Sequence, residues 1–343
     1  MTPSNLELAE LLAHASEQVE AFKQRAYRRA ARGALAWPEE AAAVAESGRS
    51  LTELFGVGDR LAKRIEGWLA DPPEIAWDVP EARRGFSTLA VANSIVQGHP
   101  DWREGLNADL QMHSTYSDGS VSIETMALAA RDLGHSYVAI TDHSQGLKIA
   151  GGMSPEELRA QALEIAQLNE TFSGDGFEIL HALEMNIGVG GECDMEPGDL
   201  EGLDLVLGSF HSKLRGAEDQ TVRYLAALDN PHFQVLGHPR GRMYSARAGL
   251  HANWKQVFSK AAEVGKAVEI DCNPNRQDLN AELASMAVRA GCYLSIGTDA
   301  HSIHELTFIN LGIATALAGG APRERILNYM TPTELRAWAG GSR

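Results

Sequence analysis

From Asn107 onward the chain alternates between short apolar runs and helical segments, and that alternation leaves few folds open. The runs are Ala108 to His113, Tyr137 to His143, Phe177 to Ile187, Leu203 to His211, Val235 to His238, Ala267 to Asn273 and Tyr293 to Asp299. Helical stretches fill most of the gaps: Ser122 to Leu133, Pro155 to Phe172, Glu218 to Leu228, Asn253 to Val264 and Asp278 to Ala290. Strands that are apolar throughout are covered on both faces, and the helices between them supply the crossovers that parallel strands need. The expected fold is α/β, a distorted seven-stranded (βα)7 barrel whose site lies in loops at the carboxyl ends of its strands.

Residues able to bind metal stand where that fold would gather them. The stretch Asp109-Leu-Gln-Met-His113 ends in a histidine and leads to Asp118-Gly119, where glycine lets the chain reverse. His143 ends Ile140-Thr-Asp-His143, Glu184 lies late in the third run, His211 ends the fourth and His238 the fifth, and Asp299 and His301 close Ile296-Gly-Thr-Asp-Ala-His301. One histidine at a strand end is ordinarily a polar cap. Repetition at six strand ends of one barrel points instead to a metal centre. The other histidines serve as a control: His14 and His99 lie outside the barrel, and His135, His232, His251 and His304 fall in or beside helices and turns. His181, three residues before Glu184 on the same strand, faces the opposite side.

The first seventy or so residues read as helical, with segments from Asn5, from Phe22 to Leu35, from Glu39 to Ala45 and from Ser50 to Leu69. The second is locally basic, carrying Lys23, Arg25, Arg28, Arg29 and Arg32 with no acid between them; such a run is as often a plain solvated helix face. In the last, Gly56-Val-Gly58 makes a tight turn between a short and a longer helix, and Leu61, Ala62, Ile65 and Leu69 form a packing stripe. This resembles a helix-hairpin-helix motif. Such a motif holds nucleic-acid phosphate on backbone amides at the start of its second helix, here around Gly56, Gly58 and Arg60, with Lys63 and Arg64 nearby. Asp71-Pro-Pro73 ends the helical region, so the expected division is residues 1–73, a connector over 74–105 holding one short helix, and 106–343.

Composition narrows the function classes. No apolar run is long enough to span a bilayer, and the acidic start, with Glu7, Glu10 and Glu17, lacks the basic opening of a secretory signal, so a cytoplasmic place is expected. Cys193, Cys272 and Cys292 form no CxxC pair and suit a reducing compartment. A net charge of −16 argues against long-range attraction of nucleic acid, which leaves local basic groups and bound cations to provide it.

Taken together, the barrel motifs resemble the PHP family, named for polymerase and histidinol phosphatase, across nearly everything from Asp109 to His301. With Arg25-Ala-Tyr-Arg-Arg-Ala-Ala31, the amino-terminal region resembles that of family X DNA polymerases, although the connector is too short to hold a polymerase domain. The resemblance implies two or three divalent ions (Mn, Zn or Fe). It assigns them to His113, Glu184 and Asp299; to Glu184, His211 and His238; and to Asp118, His143 and His301, with Glu184 bridging two and Glu192 as the fallback carboxylate. Gln111 stands where the family's first histidine is expected, offering a weaker carboxamide ligand. Arg64 stands where a lyase lysine would be and cannot form a Schiff base.

The implied chemistry is metal-dependent phosphoester hydrolysis, with Glu184, His211 and Asp299 as catalytic residues and Lys148, Arg242 and Arg276 gripping phosphate. The implied role is DNA 3′-end processing in repair, as 3′-5′ exonuclease or 3′-phosphatase, with DNA as partner. The alternative is a small-molecule phosphatase of the histidinol-phosphate type; a non-catalytic scaffold would not need so full a ligand set.

Overall fold

A computed structural model describes residues 2–341. The amino-terminal region holds α1 (Asn5–Gln18), α2 (Ala21–Ala36), α3 (Ala41–Glu46) and α4 (Asp59–Ala70), with the short arm of the hairpin reduced to a 3-10 turn over Leu51–Glu53. Ser4 and Glu7 close a capping box on α1, and Gly58 caps α4. Leu8, Leu12, Ala30, Ala34, Trp37, Val57 and Ile65 form its core.

That core does not stop at Asp71. It also takes in Phe86 from the connector and Tyr244 from a barrel loop. Arg83 of the connector lies buried between Glu10 at 2.9 Å and Glu17 at 2.7 Å, and Trp77 donates to Glu10. The connector holds two helices, α5 (Leu89–Gln97) and α6 (Pro100–Glu104), where the sequence suggested one. Leu89, Ala92 and Val96 of α5 bury against the barrel's outer helices, so the segment is packed structure rather than a tether.

The barrel follows as β1 (Ala108–Met112), α7 (Ile123–Asp132), β2 (Tyr137–Ile140), α8 (Pro155–Phe172), β3 (Glu178–Asn186), β4 (Leu205–Ser209), α9 (Thr221–Leu228), β5 (Val235–Leu236), α10 (Trp254–Glu263), β6 (Ala267–Asp271), α11 (Ala281–Ala290) and β7 (Tyr293–Gly297). Its seven strands lie in chain order and every pairing is parallel, as the apolar runs and their helical spacers require. Only a 3-10 turn over Pro197–Leu200 separates β3 from β4. Two further helices, α12 (Ile309–Ala318) and α13 (Pro332–Gly341), end the described chain.

The seam between β1 and β7 is closed by two devices. Near the strands' carboxyl ends the main chains meet directly, through His113 N–H to the Ala300 carbonyl at 2.8 Å and Asp299 N–H to the Gln111 carbonyl at 3.0 Å. At the opposite end buried Asn328 bridges the gap: it accepts from Ile296 N–H at 2.7 Å and donates to the carbonyls of Ala108 and Ile296 at 2.9 and 2.7 Å. Leu335 and Ala339 of α13 plug this end against Ala108, Leu110, Tyr137 and Leu205. No helix among the described residues is long and apolar enough to cross a membrane.

Candidate metal centre

Glu184 is fully buried in β3, and its two carboxylate oxygens face four imidazoles. Oε1 lies 2.7 Å from His238 Nε2 and 3.2 Å from His211 Nε2, while Oε2 lies 3.1 Å from His143 Nδ1 and 3.5 Å from His113 Nε2. His113 Nε2 also sits 3.1 Å from Asp299 Oδ1. Asp118 Oδ1 is 3.2 Å from His301 Nε2 and 3.6 Å from His143 Nε2. The result is three overlapping sets whose ligand atoms all approach within 4.8 Å: His113, Glu184 and Asp299; His143, Glu184 and His211; and Asp118 with His113, His143 and His301.

Local structure aims these groups. Asp142 accepts from Ser114 N–H, the Ser114 and Ser117 hydroxyls and the Gln161 amide, which pins the loop delivering Asp118. Asp299 occupies the left-handed region at φ 53°, which costs on the order of 1 kcal/mol and is held by the seam bond to Gln111. Gly297 leaves room that a side chain would take, since a Cβ there would fall 2.5 Å from the Gln111 Cβ and 2.6 Å from Glu269 Oε1. His301 Nδ1 donates to the Asp299 carbonyl at 2.8 Å and His211 Nδ1 lies 3.2 Å from Asn186 Oδ1, contacts that turn each Nε2 inward.

The electrostatics fit cations. Burial pushes the Glu184 carboxyl up, but the imidazoles of His143, His238 and His211 outweigh it and hold it well below the usual carboxylate range. Asp299 is likewise lowered against its burial, chiefly by Arg276, whose guanidinium lies 3.0 Å from Oδ2. Burial, helped by Asp271, raises Glu269 well above its ordinary value, and burial with Asp299 does the same to Asp271. Buried atoms without a hydrogen-bond partner crowd this place: Glu269 Oε1, Asp271 Oδ2, Nδ1 of His113 and His238, and both carboxamide atoms of Gln111. Protein interiors seldom leave so many polar atoms unmet, and a mixed imidazole and carboxylate set of this density suits divalent ions.

Sequence reasoning passed over Glu269 and Asp271, although their signal was present. In Ala267-Val-Glu-Ile-Asp271 the two acids stand two apart in an apolar strand, hence on one face. The remaining candidates divide. Arg276 reaches the cluster. Lys148 is exposed on the turn after β2, next to the Asp118 loop through the approach of Gly151 to the Ser117 carbonyl. Arg242 is not brought to the centre: its buried guanidinium stacks 3.7 Å from the Phe86 ring and donates to the carbonyls of Arg276 and Gly85, anchoring the connector. Glu192 is exposed, and His181 stays out of the cluster as alternation requires. In the hairpin Gly56 adopts φ 83° against α2, Arg60 and Lys63 are exposed, and Arg64 donates to the Tyr27 hydroxyl at 3.0 Å and lies over the Trp68 ring.

Over 234 residues the chain is 38% identical to the DNA polymerase/3'-5' exonuclease PolX of Bacillus subtilis (strain 168); the match covers 68% of this chain and 41% of that protein, so the chain spans about two fifths of its relative's length. It is 25% identical over 225 residues to the probable phosphatase YcdX of Escherichia coli (strain K12), covering 64% of this chain and 89% of that one. Among solved structures, the zinc, L-histidinol and phosphate complex of histidinol phosphate phosphatase from Lactococcus lactis is 20% identical, with a TM-score of 0.45, covering 62% of this chain and 94% of that one. Residues 109–296 match the PHP domain. This chain therefore belongs to the PHP domain family, whose members are metal-dependent phosphoester hydrolases.

Proposed function

We propose that this protein trims or cleans DNA 3′ ends in repair, as a 3′-5′ exonuclease or 3′-phosphatase, with the hairpin region holding the DNA backbone and the barrel cutting the ester. The work divides over residues 1–73, the connector 74–105 and the catalytic unit 106–343, in a cytoplasmic setting that the free thiols of Cys193, Cys272 and Cys292 suit. The observation that carries the DNA reading is that the hairpin's core includes Tyr244 of a barrel loop, so a strand held by one part stands within reach of the other. The 38% identity to a polymerase and exonuclease supports the same reading.

Two or three ions would be held by His113, Glu184 and Asp299, by Glu184, His211 and His238, and by Asp118, His143 and His301. Donors that mix imidazole with carboxylate favour Mn, Zn or Fe over Mg. Divalent ions supply Lewis acidity, acidifying water and offsetting charge on phosphate oxygens. The chain's own part is positional. Glu184, His211 and Asp299 fix the centre, Arg276 presents a guanidinium at its rim, and Lys148 adds a mobile ammonium from the loop beside Asp118. Gln111 contributes a neutral oxygen at most. Arg64 carries no lyase chemistry, since an arginine stays protonated.

The test is hydrolysis of 3′-recessed DNA, 3′-phosphorylated DNA and histidinol phosphate by the full chain, with elemental analysis of protein purified without chelator. Bound transition metal and chelator-sensitive action on DNA are expected. Brisk turnover of histidinol phosphate with DNA untouched would replace this reading with the small-molecule phosphatase.

A further inference from the structure

One basic surface takes no part in this account. Arg25, Arg29 and Arg32 stand at helical spacing on α2, forming one stripe that rises roughly 10 Å along the axis. All three are exposed, and no carboxylate among the described residues pairs with any of them, whereas neighbouring Lys23 pairs with Glu20 and Arg28 bonds Gln24. In a chain of net charge −16, leaving three adjacent arginines unpaired marks a place where negative charge is expected from outside.

The stripe forms one wall of a cleft of about 700 Å³. Phe55 of the hairpin completes that wall, and the barrel's Arg276 and His304 face it across the gap. The one carboxylate among the described lining residues, Glu305, is engaged by the His301 N–H at 2.7 Å. Since Arg276 also lies 3.0 Å from Asp299, the cleft runs from α2 to the rim of the metal centre.

Phe55 is 59% exposed, yet its backbone is clamped. Its carbonyl accepts from Trp37 Nε1 at 3.0 Å, and α2 comes so close that a Cβ on Gly33 would fall 2.5 Å from that same oxygen. The Arg29 guanidinium lies 4.8 Å from the ring centroid. A fixed, exposed aromatic beside unpaired guanidiniums is what an unpaired base and its phosphates require. In a duplex the base faces are already stacked and offer the ring nothing.

We propose that this cleft is the approach track for a single-stranded DNA 3′ end, with successive phosphates on Arg25, Arg29 and Arg32, a base stacked on Phe55, and the terminal ester passed by Arg276 to the metal centre. The proposal rests on the DNA reading above and names the substrate form that reading left open. It is separate from the hairpin amides at Gly58, which grip backbone without selecting single strand.

The test measures binding of a short labelled oligothymidine to the full chain by fluorescence anisotropy, in chelator so that the strand stays intact, across a salt series. The R25Q/R29Q/R32Q protein should bind at least about tenfold more weakly, and its log–log salt slope should flatten by about 2, near 0.7 for each phosphate deprived of its arginine. The R25K/R29K/R32K protein keeps the charges and should keep the slope, which separates charge loss from damage to the fold. Phe55→Ala should weaken binding about tenfold with the slope intact. With metal restored, the glutamine triple should lose at least about tenfold more on single-stranded DNA than on p-nitrophenyl phosphate. If wild type binds and cuts DNA while the glutamine triple keeps both affinity and slope, the track is wrong and the DNA function stands. Blunt duplex competing as well as single strand would also overturn the track. A wild type that neither binds nor cuts DNA would bring down both.

Discussion

The two ends of the barrel solve opposite problems with the same strands. At the amino-terminal end polar groups are few and mostly met: Asn328 spends both ends of its carboxamide on three bonds, and leucines and alanines fill the rest. At the carboxyl-terminal end carboxylates and imidazoles are packed together with lone pairs and protons left over. Burying unmet polar atoms destabilises a fold, so the closed end carries stability and the open end is kept in readiness for cations. His135 is one exception at the closed end. Neither ring nitrogen finds a hydrogen-bond partner, and burial, helped by Arg103, drives its pKa down to about 3.

The contrast can be broken most sharply at the open end. Asp299→Ala or His211→Ala should cut phosphoester turnover by at least about 100-fold; the thermal midpoint should change little in His211→Ala, where a ligand and not packing is lost, and fall in Asp299→Ala, which also leaves Arg276 without its carboxylate. Steady-state kinetics beside a melting curve checks this, and undiminished turnover in both variants would refute the assignment. Asn328→Ala should do the reverse, costing about 3 kcal/mol in urea denaturation through three lost bonds and the groups they leave unmet, with the ligands themselves untouched.

A smaller effect tests the exception. The folded pKa of His135 is depressed from its ordinary value near 6.5, so the unfolded chain takes up the proton first. Its contribution to stability is complete above about pH 6.5 and is lost progressively as pH falls toward 3. His135→Leu should flatten that acid limb; an unchanged pH profile of denaturation midpoints would show that the imidazole does not titrate against folding. The smallest change expected is at Gln111. Replacing it by histidine should tighten one ion by about tenfold, read by competition with a chromogenic chelator, since imidazole outranks a carboxamide as a donor. An identical affinity would show that this position is not a ligand.

What the sequence revealed follows the same division. Candidate ligands at strand ends leave a local mark, because strand, turn and side-chain type sit within a few residues, and the fold brings His113, Glu184, His211, His238, Asp299 and His301 to one end of the barrel. Glu269 and Asp271 were equally legible by alternation. Arg242 shows the limit: its loop is on the right side of the barrel, but Phe86 and the Gly85 carbonyl, far away in the chain, claim its guanidinium. Asn328 leaves no mark either, because it meets Ala108 across 220 positions and nothing near it announces the pairing. The paired role of Glu10 and Arg83 is hidden for the same reason, since 73 positions separate them.

The seam also sets an order of assembly. Nothing joins β1 to its last neighbour until β7 and Asn328 have been made, so during vectorial synthesis the growing chain carries its early strands as an open sheet with one edge waiting. The candidate ligands straddle that same seam, His113 and Asp118 on one side, Asp299 and His301 on the other. An ion held between them would add a further clasp to a ring that the main chain and Asn328 fasten only once the last strand is made, and starving the cell of metal should leave newly made chains more exposed to proteolysis than chains made with metal.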